Sequence, residues 1–265
     1  MEIKEYDPLV NVESNAFLNC DMENIAYFDI ETTGFDRECD NIILISFGRF
    51  VDKNKLRIKQ YFADTLEDEN EVLYNFGMDI LKYDKCCSYN GIAFDEPFVK
   101  ERMHRNNICF EFPKYHVDLY RLIRPYYRQL GMERCNLKTV EKYLGINRKD
   151  KIDGGISVDL YREFLKSNTY DIKHTIMLHN YEDVLNLPKI QEFAFKIKND
   201  KLLVRENGIT EKQKRYLKIL LKKNNVDLNI QFEKISKKVA SQIIDYLIKG
   251  EKDVEKFDNI INSSY

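Results

Sequence analysis

The stretch Ile25-Ala26-Tyr27-Phe28-Asp29-Ile30, followed by Glu31 and a turn at Thr33-Gly34, constrains this chain more than any other feature. A short apolar run stopped by turn residues reads as a buried strand. Side chains two apart on a strand share a face, so Asp29 and Glu31 project together. Two carboxylates side by side at the end of a buried strand repel each other and resist desolvation unless a cation sits between them. A hard divalent ion does this with oxygen ligands. The plain alternative is a solvated pair of acids on a surface strand.

The elements around this strand predict an α/β fold. Residues 1–24 read as a polar lead-in. Residues 41–51 form a second β-branched run, and 55–62 alternate Leu56, Ile58 and Gln60 with basic residues, as an edge strand does. Three consecutive strands suggest an antiparallel meander. Residues 66–83 carry Val72, Leu73, Phe76, Ile80 and Leu81 at helical spacing. A short strand over 86–89 stops at Asn90-Gly91, a helix follows over 95–106, then a fifth strand at 115–117 and a helix over 118–128. Further helices are expected over 136–144, 158–165 and 171–198. A loop falls at Asp153-Gly154-Gly155, and a kink or boundary before Pro188. Asn207-Gly208 marks a boundary, after which Thr210-Glu211 starts one helix and residues 236–248 form a second, closed by Gly250.

Two further places carry chemistry. Asp95 follows Tyr89-Asn90-Gly91-Ile92-Ala93-Phe94 at a strand-to-helix junction. It is either an N-cap or a carboxylate presented to a cation at the strand edge. His179 and Asp183 are four apart on a helix and share a face. An ordinary surface pair has the same spacing.

Together the three motifs resemble those of the DEDD exonuclease superfamily. Asp29-Ile30-Glu31-Thr32-Thr33-Gly34 is close to its first motif. Asn90-x-x-x-Phe94-Asp95 is similar to its second, as found in proofreading domains of family B polymerases. His179-x-x-x-Asp183 occupies the third. Residues 136–146, Asp153-Gly154 and residues 181–187 further resemble the YprB-like ribonuclease-H-like branch, over about residues 22–195.

The resemblance implies a ribonuclease-H-like mixed five-stranded sheet flanked by helices over 22–199, with a small helical pair over 208–250 beyond it. It implies a 3′–5′ exonuclease that releases nucleoside 5′-monophosphates from single-stranded DNA or RNA. Two divalent cations, Mg²⁺ or Mn²⁺, would be held by Asp29, Glu31, Asp95 and Asp183, with Asp29 bridging. His179 completes the catalytic group. The superfamily carries Tyr-x3-Asp or His-x4-Asp in the third motif, and this chain has histidine at the tyrosine spacing. His179 either orients the attacking water or accepts its proton.

Thr32, Asn90, Phe94 and Lys138 are the expected substrate contacts. Phe94, Tyr89 and Phe35 can stack on terminal bases, with core packing the commoner duty for Phe94. Lys138 and Arg134 either meet phosphate or form a solvated face.

Charge distribution adds a second theme. Residues 196–265 hold 16 basic and 10 acidic side chains, against 26 and 34 in residues 1–195. An acidic body with a basic tail fits a metal site joined to a nucleic-acid-facing module, or a solvated helical tail. The Lys-rich helix over 211–223 can track a nucleic-acid backbone or pack its apolar set on the next helix. A catalytically weak nucleic-acid-binding or interaction protein that keeps the fold is the rival to an enzyme. The six cysteines form no CxxC pair, and no signal stretch or membrane-length apolar run occurs. These features predict reduced thiols, a cytoplasmic protein and no membrane contact. They name no protein partner.

Overall fold

Alternation along the central strand sets the layering. On β2 (Ile25–Thr32), Ala26, Phe28 and Ile30 enter one core, while Tyr27, Asp29 and Glu31 take the opposite face. The computed structural model describes residues 1–152 and 154–262. Its elements before β2 are β1 (Glu2–Tyr6) and α1 (Ser14–Asn19). After β2 come β3 (Ile42–Asp52), β4 (Lys55–Phe62), α2 (Glu69–Ile80), β5 (Lys85–Ser88), α3 (Asp95–Arg105), β6 (Tyr115–Asp118) and α4 (Leu119–Ile123). These are followed by α5 (Leu137–Tyr143), α6 (Gly154–Ser167), α7 (Tyr170–Asn199), α8 (Glu211–Asn224), α9 (Lys237–Ile248) and α10 (Val254–Asn262).

The sheet runs β1-β4-β3-β2-β5-β6. β2, β3 and β4 form the antiparallel meander, and β5 and β6 add in parallel to β2. Val72, Leu73, Phe76 and Ile80 of α2 and Phe98, Val99 and Met103 of α3 cover one face. Tyr161 and Phe164 of α6 and Ile176 and Met177 of α7 cover the other, against Ile43, Leu44 and Phe62. Gly48 lets α7 approach closely: a Cβ there would stand 2.8 Å from Val184 Cγ1.

The five expected strands are present, and a sixth adds to the edge. β1 lies within the expected lead-in and pairs antiparallel with β4. Its side chains stay largely wet, so it shows no apolar period; backbone pairing and ion pairs such as Lys173–Glu2 hold it. Three helical expectations change. The helix expected over 118–128 is only α4, because Pro125 disfavours helical backbone in the residue before it. α6 begins at Gly154, inside the expected loop; Asp153 itself lies outside the described residues. α7 runs through Pro188 without a boundary.

Contacts group the chain into two units, Met1–Leu119 with Val140–Phe193, and Tyr120–Thr139 with Ala194–Tyr265. The second unit builds its own core from Leu217 and Leu220 of α8, Val239, Ile243 and Leu247 of α9, and Phe257 and Ile261 of α10. α10 is a third helix beyond the expected pair. Its Phe257 and Ile261, four apart, are buried, a pattern short enough to pass unnoticed in the sequence. Thr210 caps α8 in a reciprocal box with Gln213, and Ser236 caps α9 through Val239 N.

Candidate metal and catalytic site

The C-terminal end of β2 meets α7. Glu31 Oε1 lies 3.8 Å, and Asp183 Oδ2 3.6 Å, from His179 Nε2. These three side chains are buried and offer ligand atoms all within 4.8 Å of one another. The i, i+4 spacing of His179 and Asp183 thus faces the sheet rather than solvent.

Asp29 is tied to the same helix. Asn180 Nδ2 donates to Asp29 Oδ2 at 2.7 Å, and Asn180 Oδ1 accepts from Ser46 Oγ at 2.5 Å. Gln60 Nε2 donates to Ser46 Oγ and to the Met177 carbonyl, both at 2.9 Å. Gln60, Ser46 and Asn180 are fully buried, so this relay across β4, β3 and α7 locks the Asp29 rotamer.

Asp95 stands in the first turn of α3 and is buried. Its Oδ1 accepts from Ile30 N at 3.3 Å, which joins it to β2 between the two acids. The turn before it is held by Asp118, whose carboxylate accepts from Asn90 N at 2.9 Å and Ile92 N at 3.3 Å. Asn90 takes a left-handed φ of 67°, a conformation asparagine tolerates. Gly91 is pressed on Ser88: a Cβ would meet Ser88 Oγ at 2.0 Å.

The electrostatics are those of crowded anions. Burial, then Asp183, Asp95 and Glu31, push Asp29 well above the usual carboxylate range. Burial, then Asp183, does the same to Glu31. Asp95 is raised to about 7, chiefly by burial, against the lowering effect of its backbone donors. Such a set, all oxygen apart from one imidazole, fits divalent cations: the fold brings like charges together where only cations make ionisation favourable.

One protein cation already answers part of this charge. Arg148, in the segment after α5, has a side chain only 7% exposed. Its Nη1 donates to both Glu141 oxygens at 3.1 Å and to Asp183 Oδ1. Nη2 donates to the His179 carbonyl at 2.9 Å and lies 3.2 Å from Asp150 Oδ2, while Nε is 3.5 Å from Glu182 Oε2. Glu182 in turn accepts from Lys149 N and Asp150 N, both at 2.9 Å. Asp150 Oδ2 is 2.6 Å from His179 Nδ1. Arg148, Asp150, Asn180, Ser46 and Gln60 escaped sequence reasoning. Only Asn180, next to His179, lay inside a recognised motif.

The structure brings together Asp29, Glu31, Asp95, His179 and Asp183. The expected substrate contacts are placed less uniformly. Thr32 Oγ1 donates to the Gly34 carbonyl at 2.5 Å and holds the turn. Asn90 is exposed. Phe94 is half-buried, packs on the core and faces Phe98 at 5.4 Å and Phe35 at 6.1 Å between ring centroids. Phe35 is 83% exposed. The two rings line a cleft of about 470 Å³ with Arg37, Ala93, Pro97 and Phe98. Lys138 stands at the start of α5, among residues of the second unit.

Comparison with known proteins gives the class. The profile of the RNase_H_2 family, described as RNase_H superfamily, matches residues 26–194. The chain therefore belongs to the RNase_H superfamily. It is YprB-like: the uncharacterized protein YprB of Bacillus subtilis (strain 168) is 33% identical over 169 residues, 62% of this chain and 40% of that protein. The chain thus spans less than half the length of that relative. Among solved structures, the family B DNA polymerase of Pyrobaculum calidifontis aligns with TM-score 0.49 and 17% identity over 66% of this chain and 24% of the polymerase. Exonuclease I of Methylocaldum szegediense aligns with TM-score 0.38 and 16% identity over 73% of this chain and 45% of its own.

Proposed function

We propose that this protein is a metal-dependent 3′–5′ exonuclease that hydrolyses phosphodiester bonds of single-stranded nucleic acid. The observation that carries the proposal is the convergence of Asp29 and Glu31 from β2, Asp95 from α3 and His179 and Asp183 from α7 on one buried, anionic place. Superfamily membership supports it.

Asp29, Glu31, Asp95 and Asp183 would hold two Mg²⁺ or Mn²⁺ ions. The chemistry such ions supply is activation of the attacking water and neutralisation of charge on the leaving oxygen. The chain does the rest. Asn180 orients Asp29, Arg148 orients Asp183 and offsets surplus negative charge, and the backbone of β2 orients Asp95. Phe35 and Phe94 would stack on the terminal bases across their shared cleft. Within this proposal residues 22–199 carry the reaction, and residues 208–250, with the basic face of α8, meet the strand backbone.

Degradation of 5′-labelled single strands, DNA and RNA in parallel, under Mg²⁺ and Mn²⁺, tests it. A ladder of shortening products is expected. Asp29→Ala should cut the rate on the order of 10³-fold or more, at the upper end of what loss of one transition-state stabiliser costs. Release that survives this substitution, or cleavage without a ladder, counts against the assignment.

A further inference from the structure

We propose that His179 is a metal ligand through Nε2, so that Glu31, Asp183 and His179 form a mixed nitrogen–oxygen site that selects Mn²⁺ over Mg²⁺. The inference rests on the proposal that this place binds divalent cations, and it gives His179 a different duty from water orientation or proton transfer.

Three observations carry it. First, the imidazole is fixed from behind. Asp150 Oδ2, on a side chain only 1% exposed, lies 2.6 Å from His179 Nδ1. A buried carboxylate there accepts the Nδ1 proton, which leaves the Nε2 lone pair forward. Arg148 Nη2 braces the same carboxylate at 3.2 Å and donates to the His179 backbone carbonyl at 2.9 Å. A carboxylate behind a histidine is the usual support of a metal-binding ring.

Second, the forward nitrogen makes no hydrogen bond to the acids it faces. His179 is 3% exposed, and Nε2 stands 3.8 Å from Glu31 Oε1 and 3.6 Å from Asp183 Oδ2. These separations exceed hydrogen-bond range. They lie between the separations that bonds of about 2.1 Å set for neighbouring ligand atoms, about 3.0–3.4 Å, and for opposite ones, about 4.2 Å, so side-chain shifts of less than about 1 Å would let these atoms share one ion.

Third, the other oxygen of Asp183 is already taken. Oδ1 accepts from Arg148 Nη1, so Oδ2 is the oxygen turned toward His179 and Glu31. Mg²⁺ prefers an all-oxygen shell that keeps its waters, whereas Mn²⁺, though itself well served by oxygen and the weakest binder of its transition series, accepts a single imidazole more readily than Mg²⁺ does. A nitrogen bonded to the ion cannot also take a proton from water, so the two duties of Nε2 exclude one another.

Pulsed electron paramagnetic resonance on Mn²⁺ added to the full chain, with ¹⁵N-labelled histidine and no nucleic acid, tests the assignment. A directly bonded ¹⁵N coupling is expected, and His179→Gln should abolish it. Titration calorimetry should then show Mn²⁺ affinity falling about 10–100-fold in His179→Gln and in Asp150→Asn, while Mg²⁺ affinity changes by less than about threefold. Bound Mn²⁺ without nitrogen coupling, failure of Mn²⁺ to bind, or an unchanged ratio of Mn²⁺ to Mg²⁺ affinity in His179→Gln would each overturn it. The wild-type spectrum does not depend on a variant that folds. Nitrogen coupling in a protein that degrades no strand sustains the site and removes the exonuclease; a laddered digest without coupling does the reverse.

Discussion

Arg148 in the sheet unit and Lys234 in the helical unit are both enclosed cations, and they differ in what surrounds them. Arg148 meets four carboxylates, those of Glu141, Asp150, Glu182 and Asp183. Lys234, itself buried, meets backbone: it donates to the carbonyls of Ile197, Asp200 and Leu203 at 3.0, 2.7 and 2.8 Å and lies 4.8 Å from the Tyr126 ring centroid. Lys234 therefore closes a helix end, a task any fold can set. Arg148 answers a surplus of negative charge that no fold needs for its own sake. Burial lowers the Lys234 pKa, whereas Asp183 and Glu141 carry that of Arg148 upward against burial. The contrast separates charge placed for structure from charge placed for function.

Removing Arg148 should show the largest effect. Arg148→Met leaves four buried or part-buried carboxylates without their cation, which costs about 3–5 kcal/mol when one partner of a buried pair is lost. A melting-temperature drop of about 2–4 °C per kcal/mol is expected in EDTA. Mn²⁺ should recover much of it, because an ion can supply the missing charge. A drop that Mn²⁺ leaves untouched would make Arg148 a purely structural residue like Lys234.

This difference also governs what could be read from the residues alone. Asp29 and Glu31 were legible because a strand repeats every two residues, so their shared face follows from spacing. His179 and Asp183 were legible as a pair for the same reason on a helix. Their direction was not, because a surface pair has identical spacing. Arg148 and Asp150 sit in an irregular segment with no period, and the partners that give them meaning, His179, Glu182 and Asp183, come from α7, about thirty residues on. β1 was missed because an edge strand with wet side chains has no apolar rhythm, and α10 because its nine residues give only about two and a half turns. The continuous α7 shows a tertiary override: packing on both sides of Pro188 outweighs the lost donor.

The second effect in size is a pH slope confined to the anionic site. Asp95 releases its proton at about 7 when folded, against 3.8 in the ordinary state, and Asp29 and Glu31 are raised as well. Between these values the folded chain holds more protons than the unfolded one. By linkage, stability falls as pH rises above about 4, and the share carried by Asp95 is lost once pH passes about 7. Thermal melts in EDTA should show the decline between pH 5 and pH 7.5, and Mg²⁺ or Mn²⁺ should flatten it. Asp95→Asn should make it shallower without metal, leaving the part that Asp29 and Glu31 carry. A metal-free protein equally stable at both pH values would contradict the crowding of these acids.

Lys234→Met supplies the matched control, with a smaller loss of about 1–3 kcal/mol from three carbonyls left without a donor. The loss should be the same in EDTA and Mn²⁺, and the same at pH 5 and 7.5. Recovery with metal here would mean that ion binding stabilises the chain generally, and the contrast with Arg148 would fail.

The smallest effect on stability, and the one that reads most directly on nucleic-acid binding, concerns the surface of α8. In the sheet unit some surface lysines find acids, Lys55–Asp7 at 3.1 Å, Lys82–Asp79 at 2.7 Å and Lys85–Asp21 at 2.5 Å, and others such as Lys53, Lys142 and Lys166 make no ion pair among the described residues and stand at separate places along the chain. On α8, Lys212, Arg215, Lys222 and Lys223 are exposed beside Tyr216 and Ile219 and make no ion pair among the described residues. Cations left unpaired in a row cost nothing in stability, so replacing all four with Gln should move the melting temperature little, within about 0.5 kcal/mol per site. Their consequence should appear in salt dependence. Each single-strand phosphate contact contributes about 0.7 to the slope of log affinity against log salt. With Asp29→Asn as background to prevent digestion, the fourfold variant should bind a labelled single strand more weakly at low salt and with a shallower slope. An unchanged slope would return α8 to a solvated face.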